Sequence, residues 1–225
     1  MKFVFDARPP ESDLIDMIWQ TQSEGGGSFI STAGTNMEIV FTKQVRGMWV
    51  TVRGPETKAS NAPIPEDADF FGIRFKLGAF LTNFPAANLV NNGINLPEAS
   101  GKSFWFNGSA WQFPSYDNAD VFVHRLIRDG LLMYDDIVAG VLQNQPQYAS
   151  IRTVRRRFLR ATGLTHKDIQ QIERARQAAA LLERGTPILD AADMLGYFDQ
   201  AHMTNSLKRF IGQTPAQILR VNNTK

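Results

Sequence analysis

The sequence contains no cysteine and only three histidines, and none of the histidines precedes His124. Without cysteine, the chain has no disulfide, no thiol nucleophile and no thiolate ligand for zinc or an iron–sulfur cluster. Without histidine, the N-terminal half offers no imidazole to a metal ion, which excludes a histidine-based metal site there. We also predict no metal, no cofactor and no catalytic residues, and the absence of cysteine fits a reducing cytoplasm.

Long apolar runs are also missing. Apolar stretches such as 137–139 extend over only a few residues, whereas a membrane span needs about 20. The N-terminal residues MKFVFD reach an acidic residue too early for a secretory signal peptide. We therefore expect a cytoplasmic protein that does not enter a membrane.

The composition is ordinary for a globular protein, but the charge is unevenly distributed. Of the 225 residues, 43% are hydrophobic and 20% are charged. Residues 1–120 carry 9 basic and 13 acidic residues, whereas residues 121–225 carry 15 basic and 9 acidic ones. A basic half joined to a mildly acidic half favours a polyanion-binding domain attached to a domain of another kind.

The first half has the pattern of short strands separated by glycine and proline. In the segment 70–75, Phe71, Ile73 and Phe75 alternate with polar or small residues. One or two short helices are predicted within 78–91, with Pro85 at the start of the second. Strands are predicted at 2–5, 28–31, 37–42, 48–53 and 70–75. Many short strands of this kind indicate a barrel or a sandwich.

The second half has the pattern of helices, and glycine and proline mostly mark their ends. Helices are predicted at 117–129, 134–143, 150–161, 166–184, 187–195, 199–211 and 215–221. The fold class is therefore α+β with two domains, a β-rich N-terminal domain at 1–115 and an all-α C-terminal domain at 116–225.

The segment from Ile188 to Ile211 predicts a helix–turn–helix unit. Gly196 permits the left-handed turn between the two helices, and Asp199 is a good N-cap for the second one. On that second helix, the apolar residues Met203, Leu207, Phe210 and Ile211 share one sector. The opposite sector carries polar and small side chains, as a groove-reading helix does: Ala201, His202, Asn205, Lys208 and Arg209.

The same plan occurs about fifty residues earlier. The helix at 150–161 carries five arginines and no acid, and their mutual repulsion is relieved by phosphate oxygens or guanine edges. Arg152, Arg156 and Arg160 lie along its outer side, while Val154 and Phe158 face inward. The helix at 166–184 would span about 27 Å, which suits two readers in successive major grooves about 34 Å apart.

These residues resemble the DNA-binding domain of AraC-type transcriptional regulators. The resemblance is carried by SIRTVRRRF at 150–158 with TGLT at 162–165, by Ala175, Arg176, Ala179 and Leu181-Leu182, by GYFDQAHM at 196–203 and by KRFIGQTP at 208–215. Residues 34–41 and 71–75 are similar to the small cupin-like N-terminal domain of some members. The resemblance implies a bacterial transcription regulator whose N-terminal domain senses an effector or mediates dimerisation.

The resemblance also implies which residues contact bases. In the first reader these are Arg152, Arg155 and Arg156. In the second reader they are Gln200, Ala201, His202 and Asn205. Asn205 stands where many members have arginine, so an amide that can read adenine replaces a charged contact, and Ala201 offers only an apolar contact. We add Arg160, Lys208 and Arg209 to the predicted DNA-binding residues.

Other interpretations of the same features stay open. The arginine run is also compatible with a solvated helix face or an RNA-binding patch. Five aromatic residues, Trp19, Trp49, Phe70, Phe71 and Phe75, could line a ligand pocket, although a core role is favoured. The alternative function is a small-molecule-binding or catalytic cupin-like barrel with a helical interaction tail. Double-stranded DNA is the predicted partner, and a small-molecule effector, RNA polymerase and a second copy of the chain stay open.

Overall fold

The structure is a computed structural model that describes residues 4–222, so Lys2 and Phe3 of the predicted strand 2–5 lie outside the described residues. The chain divides into two compact units, each built from several pieces of sequence. Unit 1 takes the chain up to Gly27, then Asn36–Pro55 and Pro63–Thr165. Unit 2 takes Ser28–Thr35, Glu56–Ala62 and the chain from His166 onward.

The strands of the described residues all precede Asp135. In chain order they are β1 (Val4–Arg8), β2 (Ile15–Ser23), β3 (Gly27–Ser31), β4 (Glu38–Gln44), β5 (Gly47–Arg53), β6 (Ser60–Ile64), β7 (Ala68–Phe75), β8 (Ala79–Leu81), β9 (Gly93–Asn95), β10 (Glu98–Ser100), β11 (Ser103–Phe106), β12 (Ser109–Gln112) and β13 (Leu132–Tyr134). A single 3-10 turn, Ala86–Asn88, interrupts the β-rich part within residues 4–222.

The helices follow the predicted positions closely. They are α1 (Ala119–Arg128), α2 (Asp136–Leu142), α3 (Ile151–Thr162), α4 (His166–Glu183), α5 (Ile188–Met194), α6 (Gln200–Phe210) and α7 (Pro215–Asn222). A β-rich N-terminal region followed by a helical C-terminal region confirms the predicted fold class.

Unit 1 is centred on an antiparallel sheet of six strands in the order β1-β2-β7-β4-β5-β9. Strand β7 lies between β2 and β4, with Ile73 opposite both Ile18 and Ile39. These three side chains are fully buried, and Phe41 and Phe75 join them in the core. Apolar side chains at alternate positions of neighbouring strands thus bury one continuous face.

Unit 1 differs from the sequence-based expectation in several places: β2 and β9–β12 were not among the predicted strands, and two further regions form other elements than predicted. Residues 79–81, placed in a predicted helical region, form strand β8, and only the 3-10 turn follows Pro85. Residues 132–134 form β13, which pairs with β8 and delays the start of α2 to Asp136. The reason is tertiary pairing: Leu132 and Leu81 are opposite one another and both buried, which short local patterns do not reveal.

The two compact units also differ from the predicted domains. The contacts group α1, α2 and α3 with the strands in unit 1, and they group parts of β3 and β6 with α4–α7 in unit 2. The division into domains at 1–115 and 116–225 stays a prediction about folding units. A contact with a strand distant in sequence leaves no periodic signal, which is why the sequence did not indicate this grouping.

Candidate nucleic-acid interface

The first predicted reader is α3, and its ends are fixed by local sequence. The Ser150 hydroxyl accepts a hydrogen bond from the Thr153 N–H at 3.2 Å, which satisfies a donor of the first turn. Gly163 ends the helix with φ +70°, and its N–H donates to the Leu159 carbonyl. A Cβ at this position would also lie 2.7 Å from the Ala86 carbonyl oxygen. Both the backbone conformation and the close packing therefore require glycine at 163.

One side of α3 is buried and the other is a row of exposed guanidinium groups. Phe158, Ala161 and Thr162 are buried, and Val154 is half-buried. The four arginines predicted to contact DNA are all exposed: Arg152, Arg155, Arg156 and Arg160. Within residues 4–222, Arg152, Arg155 and Arg156 form no ion pair with an acid, so their charge is available to an anionic partner.

Arg157 does not share this role, because it is bound inside unit 1. Its Nε donates to Asp135 Oδ2 at 2.8 Å, and the Asp135 side chain is only 7% exposed. The other carboxylate oxygen, Oδ1, accepts from the backbone N–H groups of Ile137 and Val138 and so caps α2. Asp135 therefore joins the supporting helix to the reader, and Arg157 is a positioning residue.

Arg160 is placed at the other end of α3. Its guanidinium lies 5.6 Å from the centre of the Phe80 ring on strand β8, at cation–π distance. Phe80 is 7% exposed, whereas Arg160 is exposed. Arg160 thus packs its side chain on the β-rich part of unit 1 while its charge stays at the surface.

The second predicted reader is α6, which the structure places in unit 2. The Asp199 carboxylate accepts a hydrogen bond from the His202 N–H at 2.6 Å, so Asp199 is the N-cap that the sequence predicted. Gly196, at φ +66°, makes the turn from α5. The predicted apolar face is buried: Met203 0%, Leu207 0%, Phe210 5% and Ile211 8%.

The opposite face of α6 is exposed along its whole length. All six predicted residues of this helix are exposed: Gln200, Ala201, His202, Asn205, Lys208 and Arg209. Lys208 and Arg209 fall in the last turn, where positive charge also favours the helix dipole. The face therefore combines amide, imidazole and cationic groups without an acid.

His202 is held at the first turn of α6. Its Nδ1 faces the Phe198 N–H at 3.4 Å, and its ring meets the Tyr197 ring edge-on at 5.2 Å between centroids. A neutral imidazole that accepts at Nδ1 carries its proton on Nε2. His202 can thus present a donor to a phosphate or to a base acceptor, as an exposed residue near the reader's N-terminus should.

The five aromatic residues proposed as a pocket are not brought together. A cavity of about 760 Å³ in unit 1 is lined by Phe70 and Phe71 but not by the other three. Phe75 is fully buried in the core, and Trp19 packs its ring over Gly72, where any Cβ would collide with it. Trp49 lies on β5, half-buried. Sequence reasoning missed the polar lining, which includes Lys43 and Lys102, because no motif marks it.

Among residues 4–222, no group of three or more histidine, aspartate or glutamate side chains is arranged to hold a metal ion. In the same part of the chain, no helix combines the length and the apolar character needed to cross a bilayer.

Asp135 and Phe198 are the residues near the readers that sequence reasoning did not assign. Asp135 stands at the start of α2, where a carboxylate favours the helix dipole, and the structure adds its hydrogen bond with Arg157. Phe198 is 91% exposed beside the N-cap of α6, which places a bare aromatic ring at the reader's N-terminal end. In the sequence, the only feature that marks Phe198 is its position directly before the N-cap Asp199.

Comparison with known proteins identifies the helical module. A family model described as a helix-turn-helix domain matches residues 148–220. No curated protein matches the chain.

Two solved structures of ToxT from Vibrio cholerae also align with the chain. One has a TM-score of 0.37 and 10% identity, and covers 96% of this chain and 98% of that one. The other is bound to (E)-4-(8-methylnaphthalen-1-yl)but-3-enoic acid and has a TM-score of 0.38 and 11% identity, with coverage of 97% and 99%.

The match from 148 to 220 begins just before α3 and ends within α7, so it includes both readers and the two helices between them, α4 and α5. Residues 148–220 are an AraC-type helix-turn-helix domain, and the chain is a DNA-binding transcriptional regulator.

Proposed function

We propose that the protein reads a specific duplex sequence by placing α3 and α6 in two major-groove segments, and that it regulates transcription in the cytoplasm without catalysis. The observation that carries this proposal is common to both helices. Each is N-capped, buries its apolar side and exposes a side rich in hydrogen-bond donors and free of acids. A helix of this kind can lie on DNA without losing its own packing.

The residues divide by chemistry. Arginine matches guanine O6 and N7, or a phosphate, with two parallel hydrogen bonds, so Arg152, Arg155 and Arg156 serve both base and phosphate contacts. Asn205 suits the N6 and N7 edge of adenine, and Ala201 suits a thymine methyl group. Lys208 and Arg209, at the end of α6, serve phosphates, which hold the register of the protein on the duplex.

The test is selection of binding sites from a randomised pool of duplex DNA with the full-length protein. The selected duplex is then titrated with Arg156→Ala and with Arg128→Ala. Arg128 is the matched control, because it removes the same charge from a side chain that is 72% exposed on α1, outside the readers. Arg156→Ala should weaken binding by about 1–3 kcal/mol and relax one base preference, whereas Arg128→Ala should leave both unchanged.

Failure to enrich any sequence would contradict specific recognition. If the two variants weaken binding equally, Arg156 contributes only through the net charge of the protein and not through a specific contact. Contact with RNA polymerase and self-association stay predictions.

The cavity of unit 1 supports a second proposal, the binding of a small-molecule effector. Its wall combines Phe41, Phe70 and Phe71 with the side chains of Lys43 and Tyr116. Burial, and then the negative charge of Asp6, raise the pKa of Tyr116 above its ordinary value. About 760 Å³ lies within the range of pockets that enclose small molecules.

A thermal-shift screen of small metabolites with wild type, Met48→Trp and Met133→Trp tests this proposal. Met48 lines the cavity, so the indole should fill it and abolish the stabilisation by any bound compound. Met133 is 48% exposed on β13 and does not line the cavity, which makes it the matched control. Stabilisation that survives in Met48→Trp would place the compound elsewhere.

A further inference from the structure

We propose that two segments of the N-terminal half, 28–35 and 56–62, position the second DNA reader by capping the C-terminal end of α6. The proposal rests on the proposed DNA-reading function and adds to it residues that lie far outside the matched region 148–220. We refer to these two segments together as the strand clamp. It includes most of β3 and β6, which pair with one another as a two-stranded sheet.

The clamp binds the backbone of α6 directly. The Ala33 N–H donates to the Phe210 carbonyl at 2.7 Å, and the Ala59 N–H donates to the Arg209 carbonyl at 2.8 Å. The last carbonyls of any helix have no partner within the helix. Two of those of α6 are therefore satisfied by backbone donors from 150 and 177 residues earlier in the chain.

The sequence allows this close approach through small residues. A Cβ on Gly212, just after α6, would lie 2.6 Å from Ile30 Cγ2 and 3.1 Å from the Ala59 Cβ. Ala33, whose N–H binds the helix end, is only 1% exposed. Larger side chains at these positions would push the clamp away from the helix end.

The two segments of the clamp are hydrogen-bonded to one another, and the clamp also contacts a second helix, α4. Gly34 and Glu56 exchange two backbone hydrogen bonds, at 3.0 and 2.9 Å, and the Ser31 hydroxyl donates to Glu56 Oε2 at 2.7 Å. The Thr35 hydroxyl lies 3.2 Å from Glu173 Oε1 on α4. The clamp therefore contacts both α6 and α4 within unit 2.

The functional consequence follows from which residues sit at the clamped end. Lys208 and Arg209 occupy the last turn of α6 and are exposed. Asn205 lies one turn earlier on the same face. Without the clamp, α6 keeps its N-cap and its buried apolar face but loses the backbone donors at its last turn. A small shift of that turn then moves Asn205, Lys208 and Arg209 relative to the DNA. The clamp thus acts as a positioning element for base reading and not as a DNA contact.

The experiment uses the full-length protein and the duplex that wild type selects from a randomised pool. Ala59→Pro removes the N–H that caps Arg209, whereas Ala59→Gly keeps it. Lys58→Pro is the matched proline control, because Lys58 is exposed and its N–H donates no hydrogen bond within the described residues. Ala59→Pro should weaken binding about tenfold or more, the other two by less than about threefold.

Folding is controlled in two ways. All four tryptophans lie in unit 1, so tryptophan fluorescence reports that unit, while far-UV circular dichroism reports the helices. If Ala59→Pro loses helical content, an amide-to-ester replacement at Ala59 removes the same donor without restricting φ.

The decisive readout is base preference, which a merely structural role would not move. The bases read by α6 are first identified as those whose selection changes in Asn205→Ala. The clamp variant should lose selectivity at these bases and keep it at the bases that change in Arg156→Ala. A clamp variant with wild-type affinity and wild-type preference overturns the proposal. Absence of any selected site with wild type would instead overturn the proposed function itself.

Discussion

Helix α3 carries five arginines within Ile151–Thr162 and no acid, whereas α6 carries Lys208 and Arg209 only in its last turn. The rest of the exposed face of α6, from its first residue to its middle, carries Gln200, His202 and Asn205 instead. Both helices have an N-cap and a buried apolar side, so their scaffolds match while their surfaces do not. The difference indicates a division of work, in which α3 supplies most of the attraction to phosphates and α6 supplies more of the base reading.

The two readers also differ in what holds them. In unit 1, α2 and α3 are joined by the buried Asp135 and the half-buried Arg157, and α3 packs near the 3-10 turn at Ala86–Asn88. In unit 2, α6 is held at one end by the exposed cap Asp199 and at the other by backbone donors from the N-terminal half. One reader is thus fixed by a side-chain ion pair and the other by backbone capping.

The largest effect should come from removing the charge of α3. Replacing Arg152, Arg155 and Arg156 together by alanine should weaken DNA binding by more than about 3 kcal/mol. If all three contact phosphates, the slope of log affinity against log salt should also fall by about 3. Titrations of the selected duplex at several salt concentrations measure both quantities.

The control for this triple variant removes three exposed cations from unit 1 outside the reader: Arg46, Lys76 and Arg128. It changes the net charge by the same amount, so it should lower affinity only through the weak long-range field. Equal loss in the two triple variants would show that net charge, and not the face of α3, attracts the DNA.

The second comparison sets the two aspartate caps against each other. Asp135→Ala should destabilise the protein by about 2 kcal/mol, because it removes a cap and leaves Arg157 without its partner. Asp199→Ala should cost about 1 kcal/mol, since this carboxylate is exposed and loses only a cap. Urea unfolding of both variants checks the order. A larger cost for Asp199→Ala would contradict the view that the Asp135–Arg157 ion pair holds α2 against α3.

The third comparison concerns the base that Asn205 of α6 reads. Asn205→Arg should shift a preference from adenine towards guanine at one position, with a change of about 1–3 kcal/mol in discrimination. Asn205→Ala should lose the adenine preference without acquiring the new one. Selection of sites with each variant provides the measurement. If both variants retain the wild-type site, Asn205 faces solvent and not a base.

The helices and their caps were accessible from the sequence, because they depend on neighbours in the chain. Ser150, Gly163, Gly196 and Asp199 act within a turn or two of their own position, and the buried face of α6 follows from helical spacing alone. The pairing of β13 with β8 was missed because it joins residues about fifty positions apart. Local patterns cannot show which distant segment satisfies a strand or a helix end.

The candidate nucleic-acid interface shows the same limit of prediction from local sequence patterns. The exposed residues of both readers were predicted individually, since exposure on a helix follows from its period. The partner of Arg157 and the capping of α6 by Ala33 and Ala59 were not predicted, because both partners of each contact come from separate parts of the chain. Small residues such as Ala33 carry no chemical signal until their backbone neighbours are known.

The smallest expected effect is a difference between the two units in how their stability depends on acid pH, and it concerns Asp120 in unit 1. Its burial by itself raises the pKa, but hydrogen bonds from the Glu11 N–H and from Arg8 outweigh that effect and lower the pKa below its ordinary value of about 3.8. Asp120 therefore stabilises unit 1 above the ordinary pKa, and this contribution is lost as the pH falls through the lower folded-state value.

Asp120→Asn should consequently flatten the acid limb of unfolding followed by tryptophan fluorescence, since all four tryptophans belong to unit 1. Asp199→Asn is the matched variant in unit 2, because asparagine is also a good N-cap and the exposed carboxylate has no comparable ion pair within the described residues. The fluorescence transition of Asp199→Asn should keep the wild-type dependence on pH. An unchanged acid limb in Asp120→Asn would mean that the Arg8–Asp120 contact contributes nothing to holding β1 against α1.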